Sequence, residues 1–224
     1  MEFETIIEPF KIKSVEPLPI TSPEERLKAL KREHWNIFGL KSQEVTIDLL
    51  TDSGTGSMSS EQWASLMRGD ESYAGSQSWQ RFEGVVKELT GYKHIIPTHQ
   101  GRASERILAS VMLKEGNVIP SNSHFDTTRA NVEFTGSEAL DLLCKEGQDL
   151  LKPAPFKGNV DLEKLEETLS KEKENIPYVL MTVTNNTGGG QPVSMENLKA
   201  TRELCNKYGV PMFLDACRLS LIHI

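Results

Sequence analysis

Two ionisable residues close an apolar run near the end of the chain: "VPMFL" delivers Asp215 and then, three positions on, Arg218. A carboxylate at the tip of a buried strand loses hydration unless a cation or hydrogen-bond donors meet it. One partner of the right chemistry is a protonated pyridine nitrogen. An aspartate held against such a ring keeps it protonated, so the ring can accept electrons from a carbanion. Arg218 would then reach a phenolic oxygen on the same ring. Taken alone, the pair also fits an ion pair that serves only the fold.

Other stretches carry groups suited to a small anionic ligand. "THQGR" sets backbone N–H groups, an amide and a guanidinium (Gln100, Gly101, Arg102) at the start of a helix. Helix polarity and free N–H groups make that a phosphate site; the same pentapeptide also reads as an ordinary glycine turn. "GGGQPVS" fits a backbone nest ahead of a helix capped by Ser194, or a plain connector. Phe125, between polar neighbours in "SHFDTTR", fits a flat lid on a ring or a core phenylalanine. None of the five histidines has metal-ligand spacing to a second ligand, so zinc is not expected. His99 and His124 fall at strand ends, and neither is assigned as a base. Neither a G-x-x-x-x-G-K-[ST] loop nor a G-x-G-x-x-G after a strand occurs.

The elements that position these residues alternate. Residues 1–20, rich in proline and isolated hydrophobics, read as an extended arm. Ser22, Pro23 and Glu25 open a helix with a capping box. "VTIDLL" (45–50) reads as a short strand, "SSEQWASLMRG" as a helix stopped by Gly69, and "SWQRFEGVVKELTGY" as a helix ended at Gly91. Beyond these, "KHIIPT", "NVIPSN", "YVLMTVT" and "VPMFLDA" read as strands. "RASERILASVMLKEG", "DLEKLEETLSKEK" and "SMENLKATRELCNKYG" read as helices. The last three elements form a β-α-β unit whose strands are apolar on both faces, which predicts a sheet covered by helices on both sides. In such sheets ligands bind beyond the carboxyl ends of the strands, where the polar residues above fall.

Composition excludes several classes. The 224 residues suffice for one large α/β domain, or one domain with an appendage. A net charge of −7 with no basic stripe argues against nucleic acid. Three cysteines without a C-x-x-C pair favour reduced thiols and a cytoplasmic location. The N-terminus does not read as a signal peptide, and no window approaches a membrane span.

These residues together resemble one family. "EPFKIKSVEP", "IDLLTDSGTG", "MRGDESYAGS", "IPTHQGRASE", "HFDTTR", "FKGNVDLEKLE", "GGGQPVSMENLKA" and "FLDACR" are similar, in order and spacing, to the β-eliminating lyases of the tryptophanase/tyrosine phenol-lyase family. Those are pyridoxal 5′-phosphate enzymes of the aspartate-aminotransferase fold, so the resemblance implies α/β architecture: a three-layer α/β/α large domain behind an extended N-terminal arm. The division it implies is arm and part of the small domain at 1–56, partial cofactor-binding large domain at 57–218, and unrelated tail at 219–224.

The resemblance also implies roles. Gln100, Gly101 and Arg102 cradle the cofactor phosphate; Phe125 stacks on the ring; Asn186 and Arg218 meet the phenolic oxygen; Asp215 pairs with the pyridinium. Tyr73 reaches across a subunit interface and is an acid/base or cofactor-positioning candidate. Thr51 and Ser53 lie near the substrate carboxylate, and Gly54 and Glu71 help bind an activating potassium ion. Asp126 follows the tryptophan-cleaving pattern, in which a carboxylate accepts a hydrogen bond from an N–H, whereas Arg129 follows the tyrosine-cleaving pattern. Ala103 stands where the family usually has glycine, which a negative φ tolerates. The implied reaction is cleavage of L-tryptophan to indole, pyruvate and ammonia by a homotetramer. The alternatives are phenol release from tyrosine and a non-catalytic phosphate-binding chain. The family's cofactor-bearing lysine, in an S-x-K-K pattern, falls beyond Arg218, and the last lysine here is Lys207. The expectation is therefore a truncated fragment, inactive by itself.

Overall fold

The computed structural model describes residues 17–48, 50 and 58–217. The chain divides into two compact units, Met1–Thr90 and Gly91–Ile224.

In the first unit, helix α1 (Pro23–Arg32) begins as its sequence predicts. The Glu25 N–H donates to Ser22 Oγ at 3.2 Å, and the Ser22 N–H to Glu25 Oε2 at 2.7 Å. Helix α2 (Ser60–Arg68) has the same box from Ser59 and Gln62 and stops at Gly69. Helix α3 (Gln77–Thr90) is started by Asp70, which accepts the N–H groups of Gln77 and Ser78 at 2.9 and 3.0 Å. The hydroxyls of Ser72, Ser76 and Ser78 donate to the same carboxylate. With the Ser78 hydroxyl and these N–H groups as donors, Asp70 is held far below the ordinary carboxyl range. The strand expected at 45–50 does not form at Val45–Asp48 or Leu50. Ile47 is exposed, and among the described residues no strand pairs with it.

The second unit carries the sheet. Helix α4 (Gly101–Met112) leads to β1 (Val118–Ser121), α5 (Asp126–Phe134), β2 (Glu138–Asp141) and the short α6 (Lys145–Gln148). Then come α7 (Leu162–Glu172), β3 (Val179–Thr182), α8 (Met195–Tyr208) and β4 (Met212–Asp215). These four strands pair in parallel, in the order β2-β1-β3-β4. The expected strand at 93–98 is absent: Pro97 has no N–H to give a ladder, and Ile96 lies exposed. Helix α4 also ends before the predicted Gly116, at Met112.

Alternation along the buried strands sorts their side chains onto two faces. Val118, Val179 and Met181 join Leu165 and Leu169 of α7 and Cys205 of α8 in one core cluster. Ile119, Ala139 and Leu180 join Val132 of α5, with Leu108 of α4 and Phe213 of β4 packed against them. Helices therefore cover both faces, giving the three-layer α/β/α arrangement that the apolar strands predict. Burial lifts the Tyr178 hydroxyl and the Cys205 thiol to about 12 and about 11.

Candidate active site at the β1/β3 switch point

The strand order reverses between β1 and β3. From β1 the chain adds β2 on one side, then returns to place β3 and β4 on the other. At such a reversal the connections leave in opposite directions and open a crevice beyond the carboxyl ends.

The base of that crevice is fixed by Asn122, fully buried at the end of β1. Its amide nitrogen donates to the carbonyls of Gly158 (2.7 Å) and Thr182 (2.9 Å), and its oxygen accepts the Thr182 N–H (2.8 Å). Thr182 Oγ1 donates to the Ser123 carbonyl at 3.1 Å, and Thr187 Oγ1 to the His124 carbonyl at 2.8 Å. The loops after β1 and β3 are thereby tied together.

Asp215 ends β4 opposite Thr182, its carbonyl accepting the Val183 N–H at 2.8 Å. It lies two residues past Phe213 in the strand, on the sheet face that packs against α4 and α5. Its carboxylate is half-buried and accepts the Cys217 N–H at 3.1 Å. Phe125, half-buried, precedes α5 as its N-cap, and Asp126 is the first helical residue. Asn186 follows the bridge between Asn185 and Gln191 in the loop after β3. Phe125, Asp126, Asn186 and Asp215 thus share the carboxyl edge of three adjacent strands.

Gln100, Gly101 and Arg102 form the start of α4, whose second turn meets the first turn of α5 where Thr128 Oγ1 donates to Glu105 Oε1 at 2.7 Å. Helix starts leave N–H groups unpaired unless something caps them. Ser22, Ser59, Asp161 and Ser194 cap α1, α2, α7 and α8, and Asp70 serves α3. Gln100 and Phe125 supply no side-chain cap to α4 and α5. A Cβ built on Gly101 meets no atom within 4 Å, so protein packing does not require glycine there.

The donor set fits pyridoxal 5′-phosphate: an uncapped helix start beside an arginine for the phosphate, an aromatic ring, an amide, and a carboxylate at a strand end. A second sign is that the described residues hold three buried side-chain polar atoms without partners, Glu105 Oε2, His124 Nε2 and Asn185 Nδ2. They lie on α4, after β1 and after β3, the elements that border the crevice.

Sequence reasoning missed a charged cluster beside this edge. Asp141, at the end of β2, accepts the His124 N–H (2.8 Å) and pairs with His124 Nδ1 (2.7 Å) through one oxygen. Its other oxygen accepts from Arg129 Nη2 at 2.6 Å. Burial pushes the Asp141 carboxyl up, but the His124 hydrogen bonds and the Arg129 charge outweigh it and hold the group below its ordinary value. Arg129 Nη1 also donates to the Ala139 carbonyl and to Glu133. The only hint in the sequence was an aspartate closing the short run "EALD".

The remaining predicted residues belong to the first unit or fall outside the described residues. Glu71 and Tyr73 belong to the first unit, and both are exposed. Thr51, Ser53, Gly54 and Arg218, with the tail at 219–224, fall outside the described residues. No helix among the described residues is long and apolar enough to cross a membrane.

The family model for beta-eliminating lyases matches residues 48–220. The chain is 56% identical over 217 residues to a tryptophanase from Salinibacter ruber, covering 97% of this chain and 46% of that protein. It is 51% identical over 212 residues to a tyrosine phenol-lyase from Clostridium tetani, covering 94% and 46%. The chain therefore spans about half the length of the curated relatives it matches. Among solved structures, a chain of the SepCysS–SepCysE N-terminal domain complex aligns with a TM-score of 0.51 at 16% identity, over 86% of this chain and 41% of that one. Cystalysin from Treponema denticola, described as containing a pyridoxal 5′-phosphate cofactor, aligns at 0.50 and 17%, over 89% and 43%. The two structures share the fold; the match over 48–220 identifies the chain as a member of the beta-eliminating lyase family.

Proposed function

We propose that the protein is a pyridoxal-phosphate-dependent carbon–carbon lyase that cleaves L-tryptophan to indole, pyruvate and ammonia. The observation that carries this reading is the carboxyl edge of β1, β3 and β4, shared by Phe125, Asn186 and Asp215, with the second turn of α4, a helix whose start is uncapped, meeting the first turn of α5. Pyridoxal phosphate, when bound, supplies an electron-accepting ring for the carbanion left when the substrate loses its α-proton.

Gln100, Gly101 and Arg102 bind the phosphate through N–H groups and a guanidinium. Phe125 covers one face of the ring. Asp215 holds a proton on the ring nitrogen, and Asn186 with Arg218 orients the phenolic oxygen. Thr51 and Ser53 attend the substrate carboxylate, and Tyr73 positions the cofactor or moves a proton from a neighbouring subunit of a homotetramer. Gly54 and Glu71 contribute oxygen ligands to potassium.

Asp126 favours tryptophan, because a carboxylate at the start of α5 accepts a hydrogen bond from an indole N–H. Arg129 does not weigh towards tyrosine, since Asp141, Glu133 and the Ala139 carbonyl take up its guanidinium. Assay of the protein with tryptophan and tyrosine side by side tests the reading. Indole release well above phenol release is expected; phenol alone would move the assignment to tyrosine, and pyruvate from neither would remove it.

A further inference from the structure

His124 is the buried titratable group beside the crevice that the proposed reaction leaves unused. Its side chain is fully buried, and both its main-chain N–H and Nδ1 face the same oxygen of Asp141. A carboxylate only accepts, so the proton between ring and carboxylate belongs to Nδ1. Arg129 on the other oxygen keeps Asp141 charged and in place. This is the arrangement by which a carboxylate fixes an imidazole's tautomer and leaves the far nitrogen as an acceptor. That far nitrogen, Nε2, is buried and has no partner.

A residue that served packing alone would not need this chemistry. A phenylalanine would fill the space without an orphaned nitrogen, and a buried unpaired polar atom is a standing cost that native structures keep where something completes it. His124 also adjoins Phe125 directly, and its carbonyl is tied by Thr187, one residue past Asn186.

We propose that His124 is a ligand-binding residue: locked as the Nδ1–H tautomer by Asp141 and Arg129, it offers Nε2 as acceptor to one N–H or O–H donor of the bound pyridoxal-class ligand. This rests on the cofactor-site reading above.

The test uses the 224-residue chain with 15N-labelled histidine and two probes: pyridoxal 5′-phosphate and the reduced phosphopyridoxyl conjugate of tryptophan. Ligand 31P resonance reports binding separately. Without ligand, the His124 ring should show a protonated Nδ1 and a pyridine-type Nε2. On saturation Nε2 should move towards its hydrogen-bonded value. A response to both probes puts the donor on the cofactor, and a response to the conjugate alone puts it on the amino acid.

His124→Asn keeps a donor for Asp141 but has no atom at Nε2, so it should bind the responsive probe about tenfold more weakly with a near-wild-type melting temperature. Arg129→Gln, at a half-exposed position, should loosen the tautomer lock and weaken binding less. Neither probe binding would overturn the cofactor-site reading and this inference with it. Binding with a silent Nε2, an Nε2–H tautomer, or undiminished affinity in His124→Asn would overturn this inference and leave that reading standing.

Discussion

Replacing Gly101 with alanine separates a glycine kept for the fold from one kept for a ligand. Gly101 is the first residue of α4, its φ lies outside the left-handed region, and an added Cβ meets nothing within 4 Å. The protein should therefore gain from the change. Gly-to-Ala substitutions at compatible positions add about 0.4–1 kcal/mol, largely by restricting the unfolded chain. For a chain of this size that raises the melting temperature by about 1–4 °C. Binding should move the opposite way. The new methyl would stand where a phosphate must approach the N–H groups of an uncapped helix start, and hydrogen bonds to charged groups are worth about 1.5–3 kcal/mol each. Losing one weakens pyridoxal phosphate binding at least about tenfold. Thermal unfolding and ligand titration on the same two proteins give both numbers. Greater stability with undiminished affinity would refute the phosphate cradle, and lower stability would refute the description of Gly101 as open.

Three further substitutions probe the scaffold. Asn122→Ala unpairs Gly158 O, Thr182 O and Thr182 N; at about 1 kcal/mol per bond it should cost about 3 kcal/mol in urea unfolding. Gly158→Ala places a Cβ 2.6 Å from the Gln191 carbonyl oxygen and 2.9 Å from that of Pro192, and overpacking of this kind costs about 1–3 kcal/mol in the same assay. For Asp141→Asn the effect should depend on pH. The folded-state pKa of Asp141 is depressed, so its contribution is fully present above the unfolded value near 4 and is lost as pH falls through the folded one. The stability gap to wild type should be present at about pH 5 and close below about pH 4; a gap that widened as pH fell below about 4 would contradict the pairing.

What was legible in the sequence was local. Ser22 with Glu25, and Ser194 ahead of α8, announce their helices because the cap and the N–H groups it accepts lie within three residues. The β3-α8-β4 unit was readable because both strands are apolar runs and Gly209 closes the helix in the left-handed conformation. The strands expected at 45–50 and 93–98 have strand-like residues, but among the described residues no strand pairs with them, and a strand is a property of the pair. In the other direction, α5 was missed: it begins at an aromatic N-cap and buries only Thr128 and Val132. Strand β2, four residues with exposed ends, carries too little pattern. The polar residues after β1, β3 and β4 were found because strand ends can be read along the chain. The His124–Asp141–Arg129 cluster was not, since seventeen residues separate His124 from Asp141 and only the parallel register of β1 and β2 joins them.

The most direct measurement is the dissociation constant of pyridoxal 5′-phosphate for this chain and for Asp215→Ala, with inorganic phosphate as a control. If Asp215 pairs with the ring nitrogen, the variant should lose about tenfold or more in cofactor affinity while phosphate binding stays unchanged. Equal cofactor affinity in the two proteins, or a parallel loss for inorganic phosphate, would contradict the assignment.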